Sequence, residues 1–160
     1  MTDHAAIRFR SASNADVAMI RDLVRDAYQR WVLVVGREPL PMVADYDKAV
    51  AEHRFDIAEV SGHVVGLIET MLDDDHLWIE NVAVKPAEQG KGYGRLLLAL
   101  AEKLALEAGR HEVRLLTNEA FAANVSLYGK LGYVVTTSRP FKGGFTLYMS
   151  KTLHPAATTR

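Results

Sequence analysis

The stretch Gln89-Gly90-Lys91-Gly92-Tyr93-Gly94-Arg95 is a glycine-dense turn that joins two regular sequence patterns. Apolar residues typical of a strand precede it over 76–84, and an amphipathic helix pattern follows it over 96–108. Glycine lets successive backbone N–H groups point into one concavity, and the start of a helix adds unpaired N–H groups and the positive end of the helix dipole. The turn therefore predicts an anion cradle that a pyrophosphate would fit.

The composition is that of one globular domain. The 160 residues are 49% hydrophobic, contain no cysteine and carry a formal net charge of −1. This content is enough for a core without disulfides or metal, and the missing thiols exclude cysteine nucleophiles and thiolate zinc sites. The six histidines show no i, i+4 pair and no metal-ligand spacing with carboxylates, so we predict no metal.

Neither nucleic acid nor a membrane is expected as a partner. Basic residues are spread among acidic ones along the whole chain rather than gathered in a block. The N-terminal residues 1–4 are polar, and no apolar run approaches the roughly 20 residues that cross a bilayer. Together with the absence of cysteine, which agrees with a reducing compartment, these features favour a soluble cytoplasmic protein.

Periodicity along the chain predicts a mixed sheet with helices between its strands. Strands are predicted at 7–10, 55–60, 63–72, 76–84, 113–117, 132–136 and 144–150. Helices are predicted at 16–31, more weakly at 42–53, and at 96–108 and 122–130, with Gly109 as a C-terminal cap. The order β-α-α-β-β-β-α-β-α-β-β predicts a single α/β domain over residues 1–152, followed by a disordered tail over 153–160.

Two other phosphate-binding motifs do not fit the glycine turn. The dinucleotide fingerprint G-x-G-x-x-G needs its third glycine three positions after the second, whereas Gly94 follows Gly92 by two. The phosphate loop of nucleotide hydrolases needs G-x-x-x-x-G-K-[ST], and the chain has no Gly-Lys-Ser or Gly-Lys-Thr. The sequence therefore argues against both classes of nucleotide site.

Three segments carry a resemblance to a known family. Gln89-x-x-Gly92-x-Gly94 resembles the acetyl-coenzyme A signature [QR]-x-x-G-x-[GA] of the GCN5-related N-acetyltransferases, the GNAT superfamily. Residues 81–86 look like the strand before that signature, and residues 127–133, Leu-Tyr-Gly-Lys-Leu-Gly-Tyr, are similar to its late LYxKxGF segment. The predicted order of elements also suits the family fold, in which the fourth and fifth strands splay apart.

The resemblance implies a coenzyme site built from the loop and the strand before it. The loop amides would hold the pyrophosphate of acetyl-coenzyme A, with added charge from Lys91 and Arg95. The residues given this role are Gln89, Gly90, Lys91, Gly92, Tyr93, Gly94 and Arg95. Backbone groups of Val82, Ala83 and Val84 would face the pantetheine arm and the acetyl carbonyl, while their side chains pack in the core.

The resemblance also implies a proton donor. Tyr128 matches the family tyrosine whose hydroxyl lies near the coenzyme sulfur and protonates the departing thiolate, and a phenol pKa of about 10 suits this task. The alternative is a helix tyrosine packed on the core. Asn124 lies four residues earlier on the same helical face and would hydrogen-bond the pantetheine amides, with a helix cap or surface role as the alternative. Many relatives carry their asparagine seven residues before the tyrosine, where this chain has Phe121.

We assign the general base to Glu80. It alternates in phase with Val82 and Val84 on the strand that leads into the splay, so its carboxylate would reach an amine directly or through water. The alternatives are an exposed strand carboxylate without a role and a residue that binds a cationic acceptor. Some relatives have their base two positions earlier, where this chain has Trp78, which cannot serve as a base.

These assignments imply an acetyl-coenzyme A-dependent N-acetyltransferase that acts on the primary amine of a small molecule, an amino acid or a peptide. Direct attack in a ternary complex needs no covalent nucleophile, in agreement with a chain that lacks cysteine. The alternative function is a non-catalytic acyl-coenzyme A binding or sensing module.

The resemblance also indicates where the acceptor would bind. Acceptor specificity in the family comes from the first helices and the hairpins, which here offer Tyr28, Trp31 and Tyr46. Aromatic residues at helical spacing also suit a core, so that alternative stays open. A homodimer is a further family-level expectation.

Overall fold

Residues 6–155 are described by the structure, which is a computed structural model. The strands are β1 (Ile7–Ser11), β2 (Arg54–Val60), β3 (His63–Leu72), β4 (Leu77–Val84), β5 (Glu112–Asn118), β6 (Val134–Phe141) and β7 (Gly144–Thr152). The helices are α1 (Val17–Val35), α2 (Leu40–Val43), α3 (Tyr46–Glu52), α4 (Tyr93–Glu107) and α5 (Ala122–Lys130). None of these helices is both long enough and apolar enough to cross a membrane.

The strands form one sheet in the order β1-β2-β3-β4-β5-β7-β6. β4 and β5 are parallel, and α4 provides the crossover that parallel neighbours need. The pairs β1/β2, β2/β3, β5/β7 and β6/β7 are antiparallel. This arrangement confirms the predicted mixed α/β sheet.

The weak helix predicted at 42–53 is divided in the structure. α2 begins at Leu40 after Pro39, and Ala44 then adopts an extended backbone. Asp45 starts α3 because its side chain accepts a hydrogen bond from the Lys48 N–H at 3.2 Å. A capping side chain, which apolar spacing does not report, therefore separates the two helices.

The described residues fall into two compact units, the first of which contains 6–70 and Asn81–Leu98. Its core includes one face of α1, where apolar residues recur at helical spacing. These residues are Val17, Ile20, Leu23, Val24 and Ala27. They belong to the same buried cluster as Tyr46, Ala49, Phe55, Ile57, Leu67 and Ala83. The helical period of the sequence thus determines which face of α1 is buried.

A close approach of β3 to β4 requires glycine at position 66. A Cβ atom on Gly66 would lie 2.6 Å from the carbonyl oxygen of Ala83 and 3.2 Å from Cδ1 of Leu97. A carbon atom does not fit that near a backbone oxygen, so any side chain at this position would push the two strands apart. Nearby, the Lys85 N–H donates to the carbonyl of Val65 at 2.9 Å.

The second unit contains Met71–Glu80 and residues 99–155. In it β7 lies between β5 and β6 and pairs with both. The buried apolar side chains of its strands include Leu77, Ile79, Val113, Leu115, Leu147 and Met149. They alternate along each strand with more exposed residues, as a sheet with one better covered face requires.

The tail predicted over 153–160 lies only partly within the described residues, since 156–160 fall outside them. Leu153 is buried, and its N–H donates to the carbonyl of His111 at 2.7 Å. The residue that follows β7 is therefore held beside the start of β5.

Asp16 connects the end of β1 to the start of α1. Its carboxylate accepts hydrogen bonds from the two terminal nitrogens of Arg10 at 2.9 and 3.0 Å and from the Ser13 N–H at 2.8 Å. Arg10 also donates to Glu59. The Arg10 hydrogen bonds are the main cause that lowers the pKa of Asp16 to about 2.

We expect Asp16→Asn to lower the free energy of unfolding by about 1–2 kcal/mol at pH 7. The folded-state pKa lies below the ordinary value of 3.8, so the carboxylate stabilises the fold above that value. This stabilisation is lost as the pH falls towards 2. Urea denaturation at pH 7, 5, 4 and 3 should therefore show that the difference in free energy of unfolding between the wild type and Asp16→Asn becomes smaller as the pH falls. Asp47→Asn is the matched control, because Asp47 pairs with Arg21 at the surface, where such pairs contribute little. A difference that does not vary with pH would contradict the assignment.

Candidate active site

The glycine turn combines left-handed backbone with the start of a helix. Gly90 and Gly92 have φ values of +79° and +88°, which residues with a side chain rarely adopt. α4 begins at Tyr93, three residues earlier than the apolar pattern predicted. The N–H groups of residues 93–95 thus lie in its first turn, where an α-helix offers no acceptor. An ideal Cβ on Gly90 or Gly92 would meet nothing within 4 Å, so both glycines border open space. A pyrophosphate fits this arrangement.

Gln89 fixes the start of the turn. Its side-chain Nε2 donates to the carbonyl of Val84 at 3.1 Å, and its Oε1 accepts from Nη1 of Arg30 at 3.2 Å. The Gln89 side chain therefore connects the end of β4 to α1. In this arrangement it holds the loop in shape, while the backbone N–H groups are the ones that could bind an anion.

The cations of the turn differ in their surroundings. Lys91 donates to Glu88 at 3.0 Å, and this hydrogen bond raises the pKa of the lysine. Arg95 is exposed on the first turn of α4 and forms no ion pair with any described residue. Arg95 is thus the cation of the turn whose charge is available to a phosphate.

The side chains of β4 alternate between two faces. Leu77, Ile79, Asn81 and Ala83 are buried, whereas Trp78, Glu80, Val82 and Val84 are more exposed. Glu80 therefore shares a face with Val82 and Val84, as the sequence predicted. Its Oε2 accepts a hydrogen bond from Nε1 of Trp78 at 2.7 Å.

The pairing of β4 with β5 is short. Within the described residues it runs from Leu77 opposite Val113 to Ile79 opposite Leu115, although both strands continue further. This divergence is the predicted splay between the fourth and fifth strands. Glu80 is the first residue of β4 after the last pair with β5, at the point where the two strands diverge.

Asn81 links three elements of the first unit, and the sequence analysis missed this role. The Tyr28 hydroxyl donates to Oδ1 of Asn81 at 2.9 Å, and Nδ2 of Asn81 donates to the Tyr46 hydroxyl at 3.3 Å. The Tyr46 hydroxyl in turn donates to the carbonyl of Pro41 at 2.5 Å. A polar residue in the buried phase of an apolar strand was the available signal, since it must find partners inside the fold.

The three residues predicted to contact the acceptor have different surroundings. Tyr46 is only 1% exposed and belongs to the core. Tyr28 and Trp31 are half-buried on α1, and the Arg30 guanidinium lies 4.2 Å from the centre of the Trp31 ring. Only Tyr28 and Trp31 therefore have surface that an acceptor could touch.

Tyr128 lies on α5 in the second unit. Its side chain is half-buried, and burial raises the pKa of its phenol to about 12. Its ring packs edge-on against Tyr133, with the ring centres 5.9 Å apart. The hydroxyl of Tyr133 is buried and has no hydrogen-bond partner among the described residues. Asn124 lies one turn before Tyr128 and is also half-buried.

The described residues contain no group of three or more histidine, aspartate or glutamate side chains arranged to hold a metal ion. Ionisable side chains in and beside the strands form pairs and small networks. His76 contacts Asp75 at 2.6 Å, and Arg114 donates to Glu112 at 2.8 and 3.0 Å. Glu80, Tyr128 and the backbone N–H groups of the loop are the candidate functional groups that the sequence named.

Comparison with known proteins identifies the family. The model of the acetyltransferase (GNAT) family matches residues 17–133, which is well over half of the chain. The chain belongs to the GNAT family. No curated protein matches it in sequence. The family is one of acyltransferases, and the resemblance predicted from the loop and from residues 127–133 is confirmed.

Solved GNAT structures share its fold at low sequence identity. A GCN5-related N-acetyltransferase from Rhodopseudomonas palustris superposes with a TM-score of 0.79 at 19% identity, covering 96% of this chain and 99% of its own. The PaiA N-acetyltransferase from Thermoplasma acidophilum, in complex with coenzyme A, gives 0.78 at 20% identity, covering 92% and 99%. A GNAT acetyltransferase from Elizabethkingia anophelis with acetyl-coenzyme A bound gives 0.70 at 17% identity, covering 95% and 100%. The predicted cofactor is thus the one found in GNAT relatives.

We expect Gly92→Ala to weaken coenzyme A binding about tenfold. A side chain at positive φ strains the loop by roughly 1–2 kcal/mol and so disfavours the conformation that directs the N–H groups. Isothermal titration calorimetry with coenzyme A measures the effect. Gly109→Ala is the matched control, since Gly109 also has positive φ, at +73°, but follows the other end of α4. Equal losses of affinity in both variants would contradict a specific role for the loop.

Proposed function

We propose that this GNAT protein transfers an acetyl group from acetyl-coenzyme A to the primary amine of a small molecule, an amino acid or a peptide, by direct attack in a ternary complex. The observation that carries the proposal is the exposed carboxylate of Glu80, directly after the last residue of β4 that pairs with β5. Such a carboxylate can accept the proton that an amine loses when it attacks a thioester. The absence of cysteine supports direct transfer, because an acetyl-cysteine intermediate is excluded.

The loop after β4 is the proposed pyrophosphate site. The first-turn N–H groups of α4, the positive end of its dipole and the unpaired charge of Arg95 all favour an anion there. The coenzyme A and acetyl-coenzyme A bound to relatives support acetyl-coenzyme A as the cosubstrate. Backbone groups of Val82, Ala83 and Val84 are the proposed contacts of the pantetheine arm, together with the Asn124 side chain.

The proposed reaction balances with two proton transfers. Glu80 accepts a proton from the acceptor amine, whose lone pair forms the bond to the acetyl carbon. A backbone N–H of residues 82–84 donates to the carbonyl oxygen as negative charge develops on it. The carbon–sulfur bond then breaks, and the Tyr128 hydroxyl gives its proton to the thiolate. The products are an acetylated amine and coenzyme A, and solvent then takes the proton from Glu80 and returns one to Tyr128.

The environment of Tyr128 supports its role as the donor. Burial holds the pKa of the phenol at about 12, so the hydroxyl keeps its proton throughout the neutral range. A half-buried side chain also retains a surface that a ligand could touch. Both features suit a group that donates to a departing thiolate.

Tyr28 and Trp31 are the proposed contacts of the acceptor. Both lie on α1 and keep part of their aromatic surface exposed. Tyr46 would act indirectly, because its buried hydroxyl supports Asn81, which in turn accepts from Tyr28. The acceptor preference would then depend on how Asn81 orients the Tyr28 ring.

We expect Tyr128→Phe to lower kcat by about 100-fold, because the thiolate loses its proton donor. The affinity for acetyl-coenzyme A should change little. Thiol release with a panel of primary amines measures kcat, and calorimetry measures the affinity. Tyr148→Phe, which removes a phenol on β7 that we give no role, is the matched control. Wild-type turnover in Tyr128→Phe would contradict the assignment, and coenzyme binding without transfer to any amine by the wild type would favour a sensor.

Glu80→Gln keeps the shape of the side chain and removes the base. At pH 7 and above, we expect kcat to fall by about 100-fold, with unchanged affinity for acetyl-coenzyme A. The same thiol-release assay and calorimetry apply. Glu119→Gln, at an exposed carboxylate without an assigned role, should retain wild-type turnover. A weakened affinity for a cationic amine with unchanged kcat would instead make Glu80 a binder of the acceptor.

A further inference from the structure

We propose that Trp78 is the positioning residue of Glu80, holding one carboxylate oxygen so that the other faces the acceptor amine. The inference rests on the proposed function, since it takes Glu80 as the base. It gives a role to the residue that cannot itself act as a base, two positions before Glu80.

The contact is short and joins neighbours on one face of a strand. Nε1 of Trp78 lies 2.7 Å from Oε2 of Glu80, the length of a hydrogen bond to a charged acceptor. Residues two apart on a strand point to the same side, so the indole and the carboxylate meet without distorting the backbone. Both residues belong to the second unit.

Trp78 is anchored more firmly than Glu80. Its backbone lies inside the part of β4 that pairs with β5, opposite Arg114, and its side chain is half-buried. Glu80 lies beyond the last pair with β5 and is exposed. A carboxylate in that position loses rotamer entropy when it is fixed. The rigid indole provides a donor that selects one orientation.

The hydrogen bond leaves half of the carboxylate open. Oε1 of Glu80 has no partner among the described residues. A carboxylate can accept at both oxygens, so a proton from an amine can go to Oε1 while Oε2 stays on the indole. This is the arrangement that a base on an exposed strand needs, because an unrestrained carboxylate would sample many directions.

The indole also fixes Glu80 without cancelling its charge. Arg114 lies opposite Trp78 in register, and its side chain therefore leaves the sheet on the same face. Its guanidinium is bound by Glu112 at 2.8 and 3.0 Å and by Asp75 at 3.6 Å. The nearby cation is thus paired with other carboxylates. The indole N–H is a neutral donor, so it holds the Glu80 carboxylate without placing a second charge beside it.

The test is a double-mutant cycle of Trp78→Phe and Glu80→Gln. Phenylalanine keeps an aromatic ring and removes the N–H. We expect Trp78→Phe to lower kcat about tenfold, in the range for loss of one hydrogen bond to a charged group, with KM for acetyl-coenzyme A unchanged. In the Glu80→Gln background the same substitution should cause no further loss. A structural role would lower kcat equally in both backgrounds, and that result would overturn the inference.

The remaining outcomes distinguish a failure of this inference from a failure of the proposed function. Full activity of Trp78→Phe beside an impaired Glu80→Gln would overturn the inference and leave the proposed function intact. Absence of transfer by the wild type, or full activity of Glu80→Gln, would overturn the assignment of the base and the inference with it. If Trp78→Phe fails to bind coenzyme A, Trp78→Tyr replaces it, because tyrosine also keeps an aromatic ring and has no N–H in the place of the indole N–H. A tenfold loss of kcat in Trp78→Tyr that disappears in the Glu80→Gln background would support the inference, and wild-type kcat would contradict it.

Discussion

The alternation of side chains along β4 is the constraint on which the rest of the structure depends. One phase of the strand buries Asn81 and Ala83, and the other presents Trp78 and Glu80. A slip of one residue would exchange these sets, leaving Glu80 buried without a partner and Asn81 without its two tyrosines. The apolar residues of the buried phase therefore determine the position of the candidate base as well as the packing of the core.

The loop after β4 combines a fixed backbone conformation with groups that can bind an anion. Gly90 and Gly92 supply the left-handed backbone, and Gln89 ties the loop to the carbonyl of Val84 and to Arg30. Different groups therefore hold the loop and bind a ligand. The neutral Gln89 side chain holds the turn, while backbone N–H groups and Arg95 remain for a ligand. Such a loop needs little rearrangement before it binds, which reduces the entropy lost on binding.

Much of this fold was predictable from the sequence because local rules determine it. The helical spacing from Val17 to Ala27 predicted the buried face of α1, and α5 has the predicted bounds of 122–130. The loop was predictable because glycine spacing reports backbone conformation directly. The start of α4 at Tyr93 was not, since a segment reading Tyr-Gly-Arg has no apolar period and becomes helical only because the rest of α4 follows it.

Contacts between distant residues account for what the sequence could not predict. The hydrogen bond from Tyr28 to Asn81 joins residues 53 positions apart, and no periodicity encodes such a pair. The β4–β5 pairing ends at Ile79 because of tertiary geometry. The splay of these two strands was therefore predicted only from the family resemblance. The Trp78–Glu80 hydrogen bond needed side-chain rotamers that strand alternation leaves open.

The close approach at Gly66 has an evolutionary consequence. Any side chain there would displace Ala83, one of the residues proposed to face the pantetheine arm, so a single substitution would alter fold stability and cosubstrate binding together. The aromatic residues Tyr28 and Trp31 lie on a partly exposed side of α1, although Tyr28 is tied to the core by its hydrogen bond to Asn81. Under the proposed function, descendants of this sequence could therefore vary the proposed acceptor contacts on α1, while position 66 and the proposed coenzyme contacts beside it stay fixed.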